Sequence, residues 1–375
     1  MKLYDTARRS TVAFEPGDTV TIYTCGITPY DAEHIGHAAT YLAYDVLQRR
    51  LIDSGRRCRV VRNVTDVDDD MLKRSRELGV FYLDLAAEEM ARFDANMASL
   101  NLIPVESEPR ATGAIPDILT FVDRLLDQGQ AYQAGGAVYF DVSTAEGFGE
   151  LSRCDRNQML SLAAEHGGNP DDPAKHDPLD VVLWQPSAPG EPWWESRWGR
   201  GRPGWHIECA AISTRELGST LDVHGGGRDL VFPHHECEAA QARAVTGQPL
   251  ARLWMHTGLV ALRGEKMSKS LGNLVFVSDL LKEWDAAAVR VALLAHHYRH
   301  DWEWTDELMP EATERLARWR AQGEGDAVLD GVRAALDEDL DAPAALEEID
   351  RAVTGGAGVS AALGLLGVPE IRQGG

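Results

Sequence analysis

The stretch "DTVTIYTCGITPYDAEHIGHAATYLAYDVLQRRLIDSGRRCRVVRNVTD" (residues 18–66) contains the pattern that predicts the fold class. Residues 18–25 alternate in polarity and are rich in β-branched side chains, which predicts a strand. Residues 36–55 carry apolar side chains at helical spacing and stop at a glycine, which predicts a helix. Residues 57–66 predict a second strand. A strand, a helix and a strand in this order form the β-α-β unit of a parallel sheet, whose ligands bind after the first strand.

Two histidines, His34 and His37, fall at this predicted strand-to-helix turn. Free backbone N–H groups and the positive end of the helix favour an anion there. A cationic stretch, "EKMSKS" (265–270), follows about 230 residues later and carries Lys266 and Lys269. These lysines could stabilise the charge that develops on a triphosphate as pyrophosphate leaves. Taken singly, each stretch is also compatible with a polar surface turn or a solvated loop.

The sequence pattern changes twice along the rest of the chain. Residues 67–125 have a helical pattern, whereas residues 128–203 combine short strand patterns with many glycines and prolines and a Trp-rich run. Strand patterns resume at 219–232 and 254–262, and the chain after the lysine stretch is mainly helical. We therefore predict an α/β protein whose units comprise a catalytic sheet domain in two halves, 1–127 and 204–265, an inserted α+β subdomain, 128–203, and a mainly helical region, 266–375.

The composition of the chain limits the kinds of partner that the protein is expected to bind. The net charge is −22, and residues 271–375 hold nine Lys and Arg against twenty Asp and Glu, so this stretch offers no basic patch for nucleic acid. The five cysteines are odd in number and widely spaced, which favours single thiols over a disulfide framework. No apolar run reaches the roughly eighteen residues of a membrane span, and the first residues lack the apolar core of a signal peptide. These features predict a cytoplasmic enzyme with a small-molecule substrate.

A metal site is predicted from Cys25, Cys209 and His234, which all lie at the predicted ligand edge of the sheet. They are not clustered in sequence, and a lone cysteine is more often a buried apolar residue than a ligand. Two thiolates and one imidazole suit Zn²⁺ and leave a coordination position open. Glu238 lies four residues after His234, on the same helical face, and is a candidate fourth ligand or a partner of the ligands.

The "HIGH" and "KMSKS" motifs, in this order and on this fold, resemble those of class I aminoacyl-tRNA synthetases. The resemblance implies a Rossmann-like parallel sheet and an adenylation reaction, in which an amino-acid carboxylate attacks the α-phosphate of ATP. His34 and His37 would contact the phosphates, Gly36 would allow close approach of the nucleotide, and Lys266 and Lys269 would complete the catalytic set. Mg²⁺ is expected to accompany ATP.

The metal residues, together with the motifs around them, resemble cysteinyl-tRNA synthetase, whose zinc binds the thiolate of the substrate. The resemblance implies one Zn²⁺ per chain and L-cysteine as the amino acid. An apolar pocket separates such similar side chains by only about 1–3 kcal/mol, whereas a zinc–thiolate bond rejects serine more strongly. By motif, the residues that would contact cysteine are Cys25, Thr28, Asn63, Thr65, Trp205 and Asp229, with Asp229 assigned to the ammonium group. Those that would line the adenylate pocket are Gly36, Thr40, Gly227, Val260 and Lys269.

Two branches of this family share these residues: the tRNA synthetase and the mycothiol-pathway cysteine ligases, which join cysteine to glucosaminyl-inositol. "CGITPYDAEHIGHAATYLAYD" and the C-terminal "HHYRHDWEWTDELMPEATERLARWRA" resemble the ligases. The 105 residues after "KMSKS" leave little room for an anticodon-binding region beyond a stem-contact-like segment. "HHECE" and "DVHGGG" are closer to the synthetase.

The resemblance therefore favours a monomeric ligase that takes an amino-sugar acceptor and no tRNA. Two alternatives within the family stay open: a paralogue that transfers cysteine to another small amine, and a short cysteinyl-tRNA synthetase. A non-catalytic nucleotide- or zinc-binding protein is a third alternative, and it would show no pyrophosphate exchange.

Overall fold

A parallel sheet of four strands forms the centre of the fold. The structure, a computed structural model, describes residues 1–30, 33–267 and 271–369. In spatial order the strands are β10 (Ala251–Thr257), β9 (Leu221–Gly227), β3 (Thr19–Ile27) and β4 (Arg57–Val64). All neighbouring pairs are parallel. The α/β fold class predicted from the sequence is confirmed.

The helix between the first two sheet strands, α1 (Ile35–Asp53), packs on this sheet. It begins one residue before the predicted start because His34 is its N-cap, with the imidazole accepting a hydrogen bond from the Gly36 backbone N–H. It ends at Asp53, and Gly55 adopts a left-handed conformation (φ 86°) that lets the chain turn into β4. The β-α-β unit is thus as predicted, with boundaries shifted by one or two residues.

Two groups of elements flank this unit before the insertion. An antiparallel hairpin precedes it, and three helices follow it, interrupted by an irregular stretch between α3 and α4 within the segment predicted to be helical. The hairpin consists of β1 (Lys2–Asp5) and β2 (Ser10–Ala13). The three helices are α2 (Asp69–Leu78), α3 (Tyr82–Ser99) and α4 (Ile115–Asp127).

A second sheet, antiparallel, lies within the predicted insertion. Its strands in order are β5 (Ala131–Ala134), β6 (Ala137–Phe140), β7 (Val181–Gln185) and β8 (Arg202–Pro203), and α5 (Arg156–Glu165) lies between β6 and β7. The chain then enters α6 (Trp205–Leu217), which packs against α7 (Glu236–Thr246). The domain boundaries predicted from the sequence, after residues 127, 203 and 265, stay a prediction.

The C-terminal part is mainly helical, as expected. The single strand predicted over 254–262 is instead divided into β10 and β11 (Val260–Leu262), because Gly258 turns the chain where a Cβ atom would lie 2.1 Å from the His300 carbonyl oxygen. The remaining elements are β12 (Glu265–Lys266), α8 (Val277–Glu283), α9 (Ala286–Leu294), β13 (Trp302–Trp304), α10 (Leu308–Arg320), α11 (Leu329–Asp337), α12 (Ala342–Thr354) and α13 (Ser360–Leu365). Among the described helices, none combines the length and the hydropathy that a membrane crossing requires.

A buried ion pair fastens this region to the sheet domain. Arg290 on α9 is 0% exposed and pairs with Asp45 on α1. Its guanidinium also donates hydrogen bonds to the carbonyl oxygens of Leu366 and Leu100, each at 2.8 Å. One side chain therefore connects α1, α9, the chain after α3 and the chain after α13.

A candidate metal and nucleotide site

Four predicted metal-binding residues meet at the carboxyl edge of the parallel sheet. Cys25 lies near the end of β3, Cys209 on α6, His234 in the turn before α7 and Glu238 on α7. One ligand atom from each lies within 4.8 Å of all the others. Their exposed fractions are 4%, 1%, 1% and 0%, respectively. Four elements far apart in sequence thus bring two thiols, one imidazole and one carboxyl group into a single buried cluster.

Glu238 lies among the other three rather than behind them. Its Oε1 is 3.0 Å from Cys25 Sγ, which donates to it, and 3.0 Å from His234 Nε2. Burial raises the pKa of Glu238 to about 8 and raises that of Cys25 well above its usual range. A divalent cation would favour the deprotonated form of both groups. Two sulfurs, one nitrogen and one oxygen around a common centre are a donor set that fits Zn²⁺.

Further histidines surround this cluster and were not singled out from the sequence. His235 Nε2 lies 3.2 Å from Cys25 Sγ, and His224 Nε2 lies 3.0 Å from Glu238 Oε2. His206 Nδ1 lies 2.8 Å from His234 Nδ1. Burial lowers the pKa of His206 and of His224 to about 3, so both rings are neutral near pH 7. In the sequence, each of these histidines is next to a predicted site residue or belongs to the same motif, and this proximity could have identified them.

The predicted cysteine-contacting residues border the same cluster. The Trp205 ring stacks on that of the metal-site His234, with centroids 4.1 Å apart. Asn63 is fully buried near the end of β4, and its side-chain oxygen accepts a hydrogen bond from the Gly26 N–H at 2.8 Å. It also donates to Thr65 Oγ1 at 3.1 Å. Thr28 lines a cleft that also reaches Trp205. The role of each in binding cysteine stays a prediction.

The "HIGH" turn begins α1. The rings of His34 and His37 lie side by side, with centroids 4.1 Å apart. A Cβ atom on Gly36 would lie 2.8 Å from Cε1 of His34, so glycine is needed for this arrangement of the ring. Thr40 Oγ1 hydrogen bonds to the Gly36 carbonyl oxygen and to Thr257 Oγ1, each at 3.0 Å. The turn therefore presents two imidazoles next to a helix N-terminus, where an anion is favoured.

Hydroxyl groups on α1 connect this turn to the metal cluster. Tyr41 donates a hydrogen bond to the carbonyl oxygen of Cys25 at 3.2 Å. Tyr44 donates to the carbonyl oxygen of Met255 at 2.7 Å. Because these carbonyls lie near the carboxyl ends of β3 and β10, α1 holds the nucleotide turn and the metal cluster on one edge of the sheet.

Several of the remaining predicted residues lie on the strands after α6. Gly227 ends β9, and Asp229 follows it in a 3₁₀ turn. Val260 is buried in β11. Lys266 in β12 forms an ion pair with Asp229, with Nζ and Oδ2 2.9 Å apart and both groups partly exposed. The carboxylate assigned to the substrate ammonium thus pairs with a lysine assigned to phosphate.

The second lysine of that motif, Lys269, lies outside the described residues. The backbone after the motif pairs with the "HIGH" turn: the Ile35 N–H donates to the Val275 carbonyl oxygen at 2.9 Å, and the Val277 N–H donates to that of Glu33 at 3.0 Å. The two motifs are therefore linked by adjacent backbone.

Comparison with known proteins agrees with this architecture. Residues 12–314 match the family described as tRNA synthetases class I (C) catalytic domain. A protein of Streptomyces avermitilis named L-cysteine:1D-myo-inositol 2-amino-2-deoxy-alpha-D-glucopyranoside ligase is 51% identical over 360 residues, covering 94% of this chain and 88% of that protein. A protein of the same name from Thermomonospora curvata is 50% identical over 359 residues, covering 94% and 87%. The structure of Mycobacterium tuberculosis methionyl-tRNA synthetase with methionyl-adenylate matches this chain with a TM-score of 0.68 and 18% sequence identity. The match covers 90% of this chain and 83% of that one and shows a similarity of fold.

Proposed function

The chain belongs to the family of class I (C) tRNA synthetase catalytic domains, and from this premise we propose that it activates L-cysteine with ATP and joins it to the amine of glucosaminyl-inositol. The observation that carries the proposal is the cluster of Cys25, Cys209, His234 and Glu238 at the edge where the "HIGH" turn begins. A soft-metal donor set beside an anion-binding turn suits a thiol-bearing substrate and a nucleotide. The relatives that share half of its residues are named for this ligation.

In the first step the cysteine carboxylate oxygen attacks the α-phosphorus of ATP, and pyrophosphate leaves. His34 and His37 contact the phosphates at the start of α1, and Lys266 and Lys269 stabilise the charge on the departing pyrophosphate. Mg²⁺ enters with ATP. Lys266 must exchange its partner Asp229 for phosphate, which frees the carboxylate of Asp229 for the substrate ammonium.

The metal cluster would select cysteine over other amino acids such as serine. Zn²⁺ held by Cys25, Cys209 and His234, with Glu238 as fourth ligand or as partner of the ligands, would supply a Lewis-acidic site for the substrate thiolate. Trp205, stacked on His234, closes one side of this site, and the buried pair Asn63 and Thr65 lies near the end of the next strand. The hydroxyl of serine is a poorer ligand for such a site, so no editing step is needed.

In the second step the amine nitrogen of the acceptor attacks the carbonyl carbon of the adenylate. An amide forms, AMP leaves and the nitrogen gives up a proton. The proposed enzyme is monomeric and cytoplasmic and takes a small amine and no tRNA. The excess of acidic residues over 271–375 supports the exclusion of tRNA, because acidic groups repel phosphates.

The test is incubation of the protein with ATP, cysteine and either glucosaminyl-inositol or bulk tRNA, followed by mass spectrometry. We expect the amide product and AMP with the amino sugar, and no charged tRNA. Robust cysteine-dependent pyrophosphate exchange with neither product would favour transfer to a different amine. Absence of exchange would reject the activation step itself. Zinc content is measured on the same sample, and serine is expected to support far less exchange than cysteine.

A further inference from the structure

A cleft of about 890 Å³ lies between the sheet domain and the insertion. Thr28 and Trp205, both predicted to contact cysteine, line one end of it. The opposite wall consists of β6, β7 and the segment that follows α5, all within the insertion. The volume is that of a typical small-molecule site. A ligand in this cleft would meet the adenylate carbonyl where the predicted cysteine site begins.

The charges along the cleft are unbalanced. Among the described residues that line it, six are acidic and two are basic. The acidic residues are Asp68, Asp69, Asp70, Glu165, Asp172 and Asp180; the basic ones are Lys175 and Arg202. Arg202 is buried and pairs with Asp69 and Glu191, and the Lys175 ammonium donates to the Gly168 carbonyl oxygen. Both cations therefore have protein partners, and the surplus charge is negative.

Hydrogen-bonding groups on both walls suit a hydroxyl-rich ligand. In the insertion, the Tyr139 hydroxyl donates to Asp172 Oδ2 at 2.7 Å, and the Ala174 N–H donates to Asp172 Oδ1 at 2.9 Å. A carboxylate oxygen has two lone pairs, so each oxygen of Asp172 can accept one further hydrogen bond. On the opposite side, exposed Asp70 in the first turn of α2 accepts from the Tyr30 hydroxyl at 3.1 Å.

We infer that this cleft is the acceptor subsite and that it selects a polyhydroxylated amine by charge, with the insertion supplying Tyr139 and Asp172 and the start of α2 supplying Asp70. The inference rests on the proposed function, because it assigns the second substrate of that reaction. The amine is attracted to the acidic lining as an ammonium ion and must release one proton before its nitrogen attacks the adenylate carbonyl. The hydroxyl groups of the ligand bind the carboxylates of the insertion. The same lining repels the phosphates of an RNA acceptor.

The test compares Asp70→Asn and Asp172→Asn with the wild-type protein in two assays. Each variant is expected to raise the KM for glucosaminyl-inositol by about tenfold, as the loss of a charged hydrogen bond does. Cysteine-dependent pyrophosphate exchange is expected to stay near the wild-type rate, which also shows that the variants fold. Asp84→Asn, at the first turn of α3 and outside the cleft lining, is the matched control and should change neither value.

Three outcomes would overturn the inference. The first is an unchanged KM for the amino sugar in both cleft variants while the wild-type protein forms the amide. The second is an equal loss in the Asp84→Asn control, and the third is charging of tRNA. Failure of the proposed function is distinct, because the wild-type protein would then show no cysteine-dependent exchange or would form no amide with glucosaminyl-inositol. Saturation-transfer NMR of glucosaminyl-inositol, without ATP, provides a readout free of catalysis, and its signal should be weaker with Asp70→Asn than with the wild-type protein.

Discussion

Removal of the His206 ring is expected to weaken zinc binding without removing a ligand. His206 Nδ1 lies 2.8 Å from Nδ1 of His234, whose other ring nitrogen, Nε2, faces Glu238 at 3.0 Å. The hydrogen bond therefore fixes the orientation of the metal-site imidazole, and with Nε2 bound to zinc the Nδ1–H of His234 would be its donor. Loss of such an outer partner lowers metal affinity about 10–100-fold. His206→Ala is thus expected to cost about 1.4–2.7 kcal/mol of zinc-binding free energy.

The assay is competition for zinc with a chromophoric chelator, at a fixed pH near 7. His206→Gln, whose amide can still hydrogen bond to His234, is expected to fall between His206→Ala and the wild-type protein. His300→Ala removes an exposed histidine far along the chain and should leave the affinity unchanged. At saturating zinc, His206→Ala should regain much of its cysteine-dependent exchange. An affinity within twofold of the wild-type value would refute the role given to this hydrogen bond.

Three further perturbations test the fold and the nucleotide site. Arg290→Met removes one of two cations from buried Asp45, which keeps Arg49 at 2.8 Å, and removes the donor of the Leu366 and Leu100 carbonyl oxygens. It should lower the free energy of unfolding by about 3 kcal/mol. The exposed Arg351→Met should lower it by less than about 1 kcal/mol, and equal losses in urea denaturation would contradict the argument. Gly36→Ala should slow pyrophosphate exchange by about tenfold to a hundredfold because its Cβ displaces the ring of His34, and zinc content should not change. Lys269→Ala should slow exchange about a hundredfold with zinc retained, and a wild-type rate would count against its role.

The β-α-β unit could be predicted from the sequence because its evidence is local. Alternation over 18–25, helical spacing over 36–55 and the glycine at the helix end each act within a few residues. His34 at the start of α1 follows from the same pattern. The metal cluster could be predicted only from the expected positions of its residues. Cys25, Cys209 and His234 were all expected at the same edge of the parallel sheet, and the resemblance to a known family supplied the reason to group them.

Other features depend on contacts between residues that lie from 14 to 213 positions apart in the sequence, and no local pattern specifies such contacts. Spacing placed Glu238 on the same helical face as His234, but only the folded chain sets it 3.0 Å from Cys25 and brings His206, His224 and His235 around them. The Asp229–Lys266 pair also arises from packing, as does the acidic cleft against the insertion. Local sequence patterns were enough to predict the β-α-β unit and the residue types at the ends of its elements. Tertiary structure decided which side chains meet, because side-chain distances across a fold depend on how whole elements pack.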